Sequence, residues 1–126
     1  MNYLCDTHIF LWSLNGDKRL KDSIKTILKD PENRIFASTV SGWEISIKLQ
    51  NNPKFRLKIP LEDLFNKTGV EILDIKLSHV LSFYKLSVMH KDPFDRMLVA
   101  QALAEGLTLI TSDPKIWKYN VPVIRA

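Results

Sequence analysis

Asn-Tyr-Leu-Cys at 2–5 and Leu-Thr-Leu-Ile-Thr at 107–111 most narrow what this chain can fold into. Both are apolar runs of strand length, and each runs into an acid, Asp6 or Ser112-Asp113. Ile35–Ser38, Val70–Ile75 and Val121–Ile124 read as further strands, and helical patterns fill the intervals. Thr7–Leu14 is the first, stopped by Asn15-Gly16-Asp17. Leu20, Ile24, Ile27 and Leu28 then share one face, opposite Lys21, Asp22, Lys25 and Lys29, until Asp30-Pro31. Thr39 or Ser41 is expected to cap the next helix, with Val40, Trp43 and Ile47 on one face, Glu44 beside them, and Asn51-Asn52-Pro53 as the break. Pro60–Lys67, Ser78–Leu86 and Phe94–Glu105 are helical, Gly106 fits a C-terminal cap, and Pro114–Tyr119 is a helical turn. Lys54–Ile59 alternates basic and apolar residues, as a half-buried strand or an extended edge does. Strands alternating with helices imply an α/β fold, a parallel sheet between two helical layers. At 126 residues, one domain spanning 1–126 is expected.

No run approaches the ~18 apolar residues of a membrane span, and charge arrives too early for a signal peptide, so a cytoplasmic protein is expected. The single Cys5 cannot form an internal disulfide and reads as a buried thiol. Eighteen basic residues against fourteen acidic ones give a net charge of +4. If four acids gather in one site, ten remain against the eighteen cations, a surface of +8 suited to a polyanion.

Active chemistry on a parallel sheet collects at the carboxyl ends of its strands, where Asp6 and Asp113 fall. Asp95 lies in the first turn of its helix, and Glu44 sits against an apolar face where an isolated carboxylate is costly. Each has a structural reading as well. Asp6 and Asp113 can be helix N-caps, Glu44 can pair with Lys48, and Asp95 can answer the helix dipole. Gathered together, the four would repel one another and hold protons above their usual pKa unless cations intervened. Oxygen-only ligation selects Mg²⁺ or Mn²⁺. His8, His79 and His90 look scattered and make no zinc set.

Cys-Asp-Thr-His, Ser-Gly-Trp-Glu-Ile-Ser-Ile-Lys at 41–48, His-Lys-Asp-Pro-Phe-Asp-Arg-Met-Leu-Val-Ala-Gln-Ala at 90–102 and Leu-Ile-Thr-Ser-Asp-Pro at 109–114 together resemble PIN domains, most closely the VapC-type toxins of bacterial toxin–antitoxin pairs. The likeness runs over nearly the whole chain, departing mainly at Asn51-Asn52-Pro53-Lys54. It implies a PIN-like fold and a Mg²⁺- or Mn²⁺-dependent endoribonuclease leaving a 5′-phosphate and a 3′-hydroxyl. Asp6, Glu44, Asp95 and Asp113 match the family's four acids. Asp92 belongs to a variant of the motif and is assigned to capping or to support of the acids, with direct contact to the metal as its alternative, and Thr7, Thr111 and Ser112 are candidate hydroxyl partners. The resemblance further implies RNA as substrate, a cognate antitoxin, and a homodimer.

Lys48, Lys91 and Arg96 are candidates to hold substrate, Arg96 having the alternative of pairing with Asp92. Lys54, Arg56 and Lys58 equally suit protection of a strand edge. His90 is a weaker candidate for a general base. The three tryptophans are expected in the core. A receiver domain would need paired acids after the first strand and a late lysine, and an Asp-nucleophile phosphatase a second Asp where His8 stands. The competing reading that survives is a phosphate- or RNA-binding regulatory domain without nuclease activity.

Overall fold

A computed structural model describes residues 1–126. Five strands, β1 (Asn2–Cys5), β2 (Arg34–Ser38), β3 (Glu71–Leu73), β4 (Thr108–Thr111) and β5 (Val123–Arg125), form one sheet in the order β3-β2-β1-β4-β5. Every pair is parallel, with Leu4 opposite Phe36 on one side and Leu109 on the other. The helices are α1 (Thr7–Asn15), α2 (Asp22–Lys29), α3 (Thr39–Asn51), α4 (Asp63–Asn66), α5 (Leu77–Lys85) and α6 (Pro93–Glu105), with a 3₁₀ turn at Ile116–Lys118.

The strands read as continuous apolar runs because both faces are covered. Tyr3, Cys5, Ala37 and Ile110 point into a core shared with Ile9 and Phe10 of α1, Ile24 of α2, Ile45 of α3 and Leu64 of α4. Leu4 and Leu109, one residue out of phase, point the other way, against Leu98, Val99 and Ala102 of α6 and Ile116 and Tyr119 of the last turn. The period-two alternation of the strands therefore sorts their side chains into two cores, giving three layers, α/β/α. Gly106 ends α6 in the left-handed region at φ 66°, as its place after Glu105 suggests.

Several local expectations shift. Ser38, and neither Thr39 nor Ser41, caps α3, its hydroxyl accepting from Val40 N at 3.0 Å. The buried face of α3 is Val40, Ser41 and Ile45, while Trp43 is 59% exposed and meets Phe94 edge-on at 5.0 Å. Pro60 begins turns of the i to i+3 kind, Asp63 N to Pro60 O and Leu64 N to Leu61 O, before the single α-turn of α4. Lys54–Ile59 joins no sheet, yet Phe55, Leu57 and Ile59 are half-buried and the cations between them exposed, which is the extended-edge alternative.

Gly42 lets α3 approach α4: a Cβ there would lie 3.0 and 3.2 Å from ring carbons of Phe65, itself packed on Phe10. Gly42→Val is expected to destabilise by roughly 1–3 kcal/mol through overpacking. Urea unfolding curves measure it, and an unchanged midpoint would mean that Phe65 yields freely.

Candidate metal and active site

The strand order reverses between β1 and β4, so the segments leaving their C-terminal ends part to opposite faces and open a crevice between them. Asp6 and Asp113 flank that crevice. Asp6 extends the β1 ladder, its N–H donating to Ile110 O at 3.0 Å, and its Oδ1 caps α1 by accepting from Ile9 N at 2.8 Å. Only 2% exposed, its carboxyl is held above the ordinary range chiefly by burial, with the charge of Asp113 adding to the shift; hydrogen bonds from Thr111 and Ile9 and the charge of His8 oppose it. Asp113 is oriented at both oxygens: Oδ1 accepts from Lys115 N at 2.9 Å and Oδ2 from His90 Nε2 at 3.0 Å. Its own N–H donates to Thr111 Oγ1 at 3.1 Å.

Glu44 enters from α3. Thr7 Oγ1 lies 2.7 Å from Glu44 Oε1 and 2.9 Å from Ser41 Oγ. A hydroxyl has one proton, and the carboxylate is the stronger acceptor, so Thr7 donates to Glu44 and Ser41 donates to Thr7. Lys48 Nζ stands 3.9 Å from Glu44 Oε2.

Asp95 comes from the first turn of α6, and its carboxyl is pushed up to about 7. Burial is the largest cause, followed by the negative charges of Asp92, Glu44 and Asp6, with His90 opposing. Glu44 and Asp6 belong to segments distant in sequence, and Asp113 in turn acts on Asp6, so Asp6, Glu44, Asp95 and Asp113 share one electrostatic neighbourhood. His90 completes it, and the sequence reading did not gather it there. The ring is nearly buried, and Nε2 lies 2.9 Å from Asp95 Oδ2 as well as 3.0 Å from Asp113 Oδ2. One ligand atom from each of these three residues falls within 4.8 Å of the others. The signal available in the sequence was that His90 opens the same heptapeptide as Asp92 and Asp95.

The remaining candidates lie around this group in different ways. Asp92 caps α6, Oδ1 accepting from Phe94 N at 2.9 Å. Ser112 is half-buried, Lys91 is exposed, and neither side chain makes a hydrogen bond. Arg96 does not pair with Asp92; its guanidinium lies over the Phe83 ring of α5 at 4.4 Å, and its buried Nε has no hydrogen-bond partner.

Clustered carboxyl oxygens suit a hard divalent ion, and Asp95, raised first by burial and then by neighbouring acids, stands where such an ion would be favoured. The carboxyl donor set therefore fits Mg²⁺ or Mn²⁺.

A family model described as PIN domain matches residues 3–121. Among solved structures, VapBC2 from Rickettsia felis bound to a promoter DNA fragment superposes with a TM-score of 0.73 at 18% identity, covering 99% of this chain and 98% of that one. VapBC from Salmonella typhimurium gives 0.71 at 11%, with 99% and 98% covered, and FitAcB from Neisseria gonorrhoeae 0.64 at 18%, with 98% and 96% covered. Two ATP-binding proteins of energy-coupling factor transporters from Clostridium perfringens, EcfA2 and EcfA3, are 30% identical over 76 residues, 57% of this chain and 26% of theirs. The chain thus spans about a quarter of those relatives, and none of its four glycines is followed by the Lys of a nucleotide-binding P-loop.

A carboxyl whose folded pKa is raised adds stability that is complete below its unfolded value near 3.8 and is lost as pH rises through about 7. Metal-free protein is therefore expected to lose stability between pH 5 and pH 7, by at most about 1.4 kcal/mol per pH unit per group. Asp95→Asn is expected to flatten that slope in urea unfolding with EDTA present, and an equally steep slope in the variant would remove Asp95 as its source.

Proposed function

Because the chain belongs to the PIN-domain family, we propose that it is a Mg²⁺- or Mn²⁺-dependent endoribonuclease, the toxin of a toxin–antitoxin pair. The observation that carries the reading is the gathering of acids from separate segments: Asp95, raised chiefly by burial, also feels the charges of Asp92, Glu44 and Asp6, and it shares His90 with Asp113. PIN domains as a family are generally nucleases.

Asp6, Glu44, Asp95 and Asp113 would hold the ions. Bound there, a divalent ion lowers the pKa of a coordinated water and draws charge from the phosphoryl oxygens. The chain's own residues prepare the place. Thr7 donates to Oε1 of Glu44, fixing its carboxylate plane, with Ser41 holding Thr7 in turn. Thr111 is buried beneath the two strand-end acids, hydrogen-bonded to the side chain of one and the backbone of the other. Asp92 and Pro93 start α6 so that Asp95 lies in its first turn, near the favourable end of the dipole. Lys48, beside Glu44, and Lys91 would meet RNA phosphates as point charges. Arg96, its guanidinium laid on the Phe83 ring, would meet phosphate or a partner's carboxylate through its terminal nitrogens, not through the buried Nε.

A protein partner is supported by the surface. Leu77, Leu81, Tyr84 and Val88 on and after α5 are 53–86% exposed, more apolar surface in one place than scattered residues require. The structures this fold resembles hold VapB with VapC; on this chain we assign the apolar surface to a cognate antitoxin and a second copy of the toxin.

The experiment is incubation of purified protein with total RNA, with Mn²⁺, Mg²⁺ or EDTA, and sequencing of new ends. Cleavage that leaves 5′-phosphates, requires the ion, and falls more than about a hundredfold in Asp6→Asn and Asp95→Asn is expected, since even outer partners of metal ligands are worth 10–100-fold. RNA bound but uncut with either ion would favour the regulatory binding domain. Cleavage unchanged in both variants would refute the assignment of the acids.

A further inference from the structure

We infer that His90 is a positioning residue for Asp95 and Asp113, an N–H donor locked in one tautomer, and not itself a metal ligand; the inference rests on the metal-binding reading above. The backbone at His90 is clamped: its N–H and that of Met89 both donate to the Tyr119 hydroxyl, at 3.1 and 3.2 Å, and Tyr119 is buried in the core under α6. Residues 89–90 are thus tied to the far side of the crevice, next to the turn that carries Asp113. The ring is then fixed from behind, because Asp92 N–H points at His90 Nδ1 at 3.3 Å.

A nitrogen that accepts carries no proton, so in the neutral ring the proton sits on Nε2. Nε2 is the atom that faces the acids, donating to Asp113 Oδ2 and touching Asp95 Oδ2 at 2.9 Å. Separations of this size between three donor atoms are also what neighbouring ligands of one ion show, so distance alone does not decide. The tautomer does. An Nε2 that bears a proton has no lone pair to give. Ligation would move that proton to Nδ1, where it would confront the Asp92 N–H, donor against donor, at the start of α6. The arrangement instead gives Asp113 a donor and sets the same ring edge 2.9 Å from Asp95 Oδ2, an electrostatic contact between two mutually repelling acids, one on α6 and one beyond β4. Outer partners of this kind fix the orientation of first ligands and typically contribute 10–100-fold to metal affinity.

The test is titration of Mn²⁺ into EDTA-stripped protein, followed by electron paramagnetic resonance, with pulsed detection of ¹⁴N coupling to the bound ion. Wild type is expected to bind Mn²⁺ without imidazole nitrogen coupling. His90→Leu should weaken Mn²⁺ about 10–100-fold. His90→Gln, whose amide N–H reaches where Nε2 does, should restore most of the affinity, and His90→Asn, which reaches only as far as Nδ1, should not. Imidazole coupling in wild type that disappears in His90→Gln would overturn the inference while leaving the nuclease reading intact. So would equal Mn²⁺ affinity in His90→Leu and wild type. Wild type that binds no Mn²⁺ would overturn the functional reading itself, and this inference with it. The wild-type spectrum decides ligation even if His90→Leu does not fold.

Discussion

Burying carboxylates that also repel one another governs what the residues around them must do. Asp6, Glu44, Asp95 and Asp113 converge on one edge of the sheet, and the protein partly offsets them with hydrogen bonds from Ile9, Thr7, Lys115 and His90. Asp95 shows how incomplete the offset is, since its proton is held to about pH 7. Such a site is tolerable because two apolar cores, each built on alternate residues of the same strands, lie directly beneath it.

The residues that start helices are also those that build the site. Asp6 caps α1 and is one of the four acids, Asp92 caps α6 so that Asp95 falls in its first turn, and Asp113 accepts from the backbone ahead of the 3₁₀ turn. Capping a helix and joining the acid cluster, which look like alternatives in the sequence, are therefore compatible in one side chain. A carboxylate has two oxygens and several lone pairs, so one oxygen can serve a cap while the other faces the crevice. Glu44 is the exception, being held by side chains alone, Thr7 and behind it Ser41.

Away from the acids, charge and apolar surface are unevenly distributed. α5 leaves Leu77, Leu81 and Tyr84 in solvent while its inner face buries His79, which accepts from Lys76 N at Nδ1 and meets Glu105 at Nε2, pinning α5 to the end of α6. A cavity of about 410 Å³ under α1 and α2, lined by Phe10, Trp12, Leu20 and Leu28 with Lys25 and Lys29, holds none of the acids. It lies apart from the acid cluster.

What could be read along the chain was what local physics decides. Apolar period, Pro and Gly punctuation and the Asp92-Pro93 start of α6 define the alternation of strands and helices, and a parallel sheet then puts Asp6 and Asp113 at one edge. Trp43 misled because an aromatic at helical spacing fits either face of α3, and only the position of α6 shows that its ring meets Phe94 at the surface. For Arg96, i−4 spacing left a pair with Asp92 open beside a role in holding substrate, and α5 closes that alternative by offering the Phe83 ring. The sequence by itself determined the layers, the strand-end acids and the family likeness, since all of these follow from residue order and short-range preference. Only the tertiary structure decided that His90 joins Asp95 and Asp113, because that meeting requires Tyr119, twenty-nine residues on, to hold the loop in place.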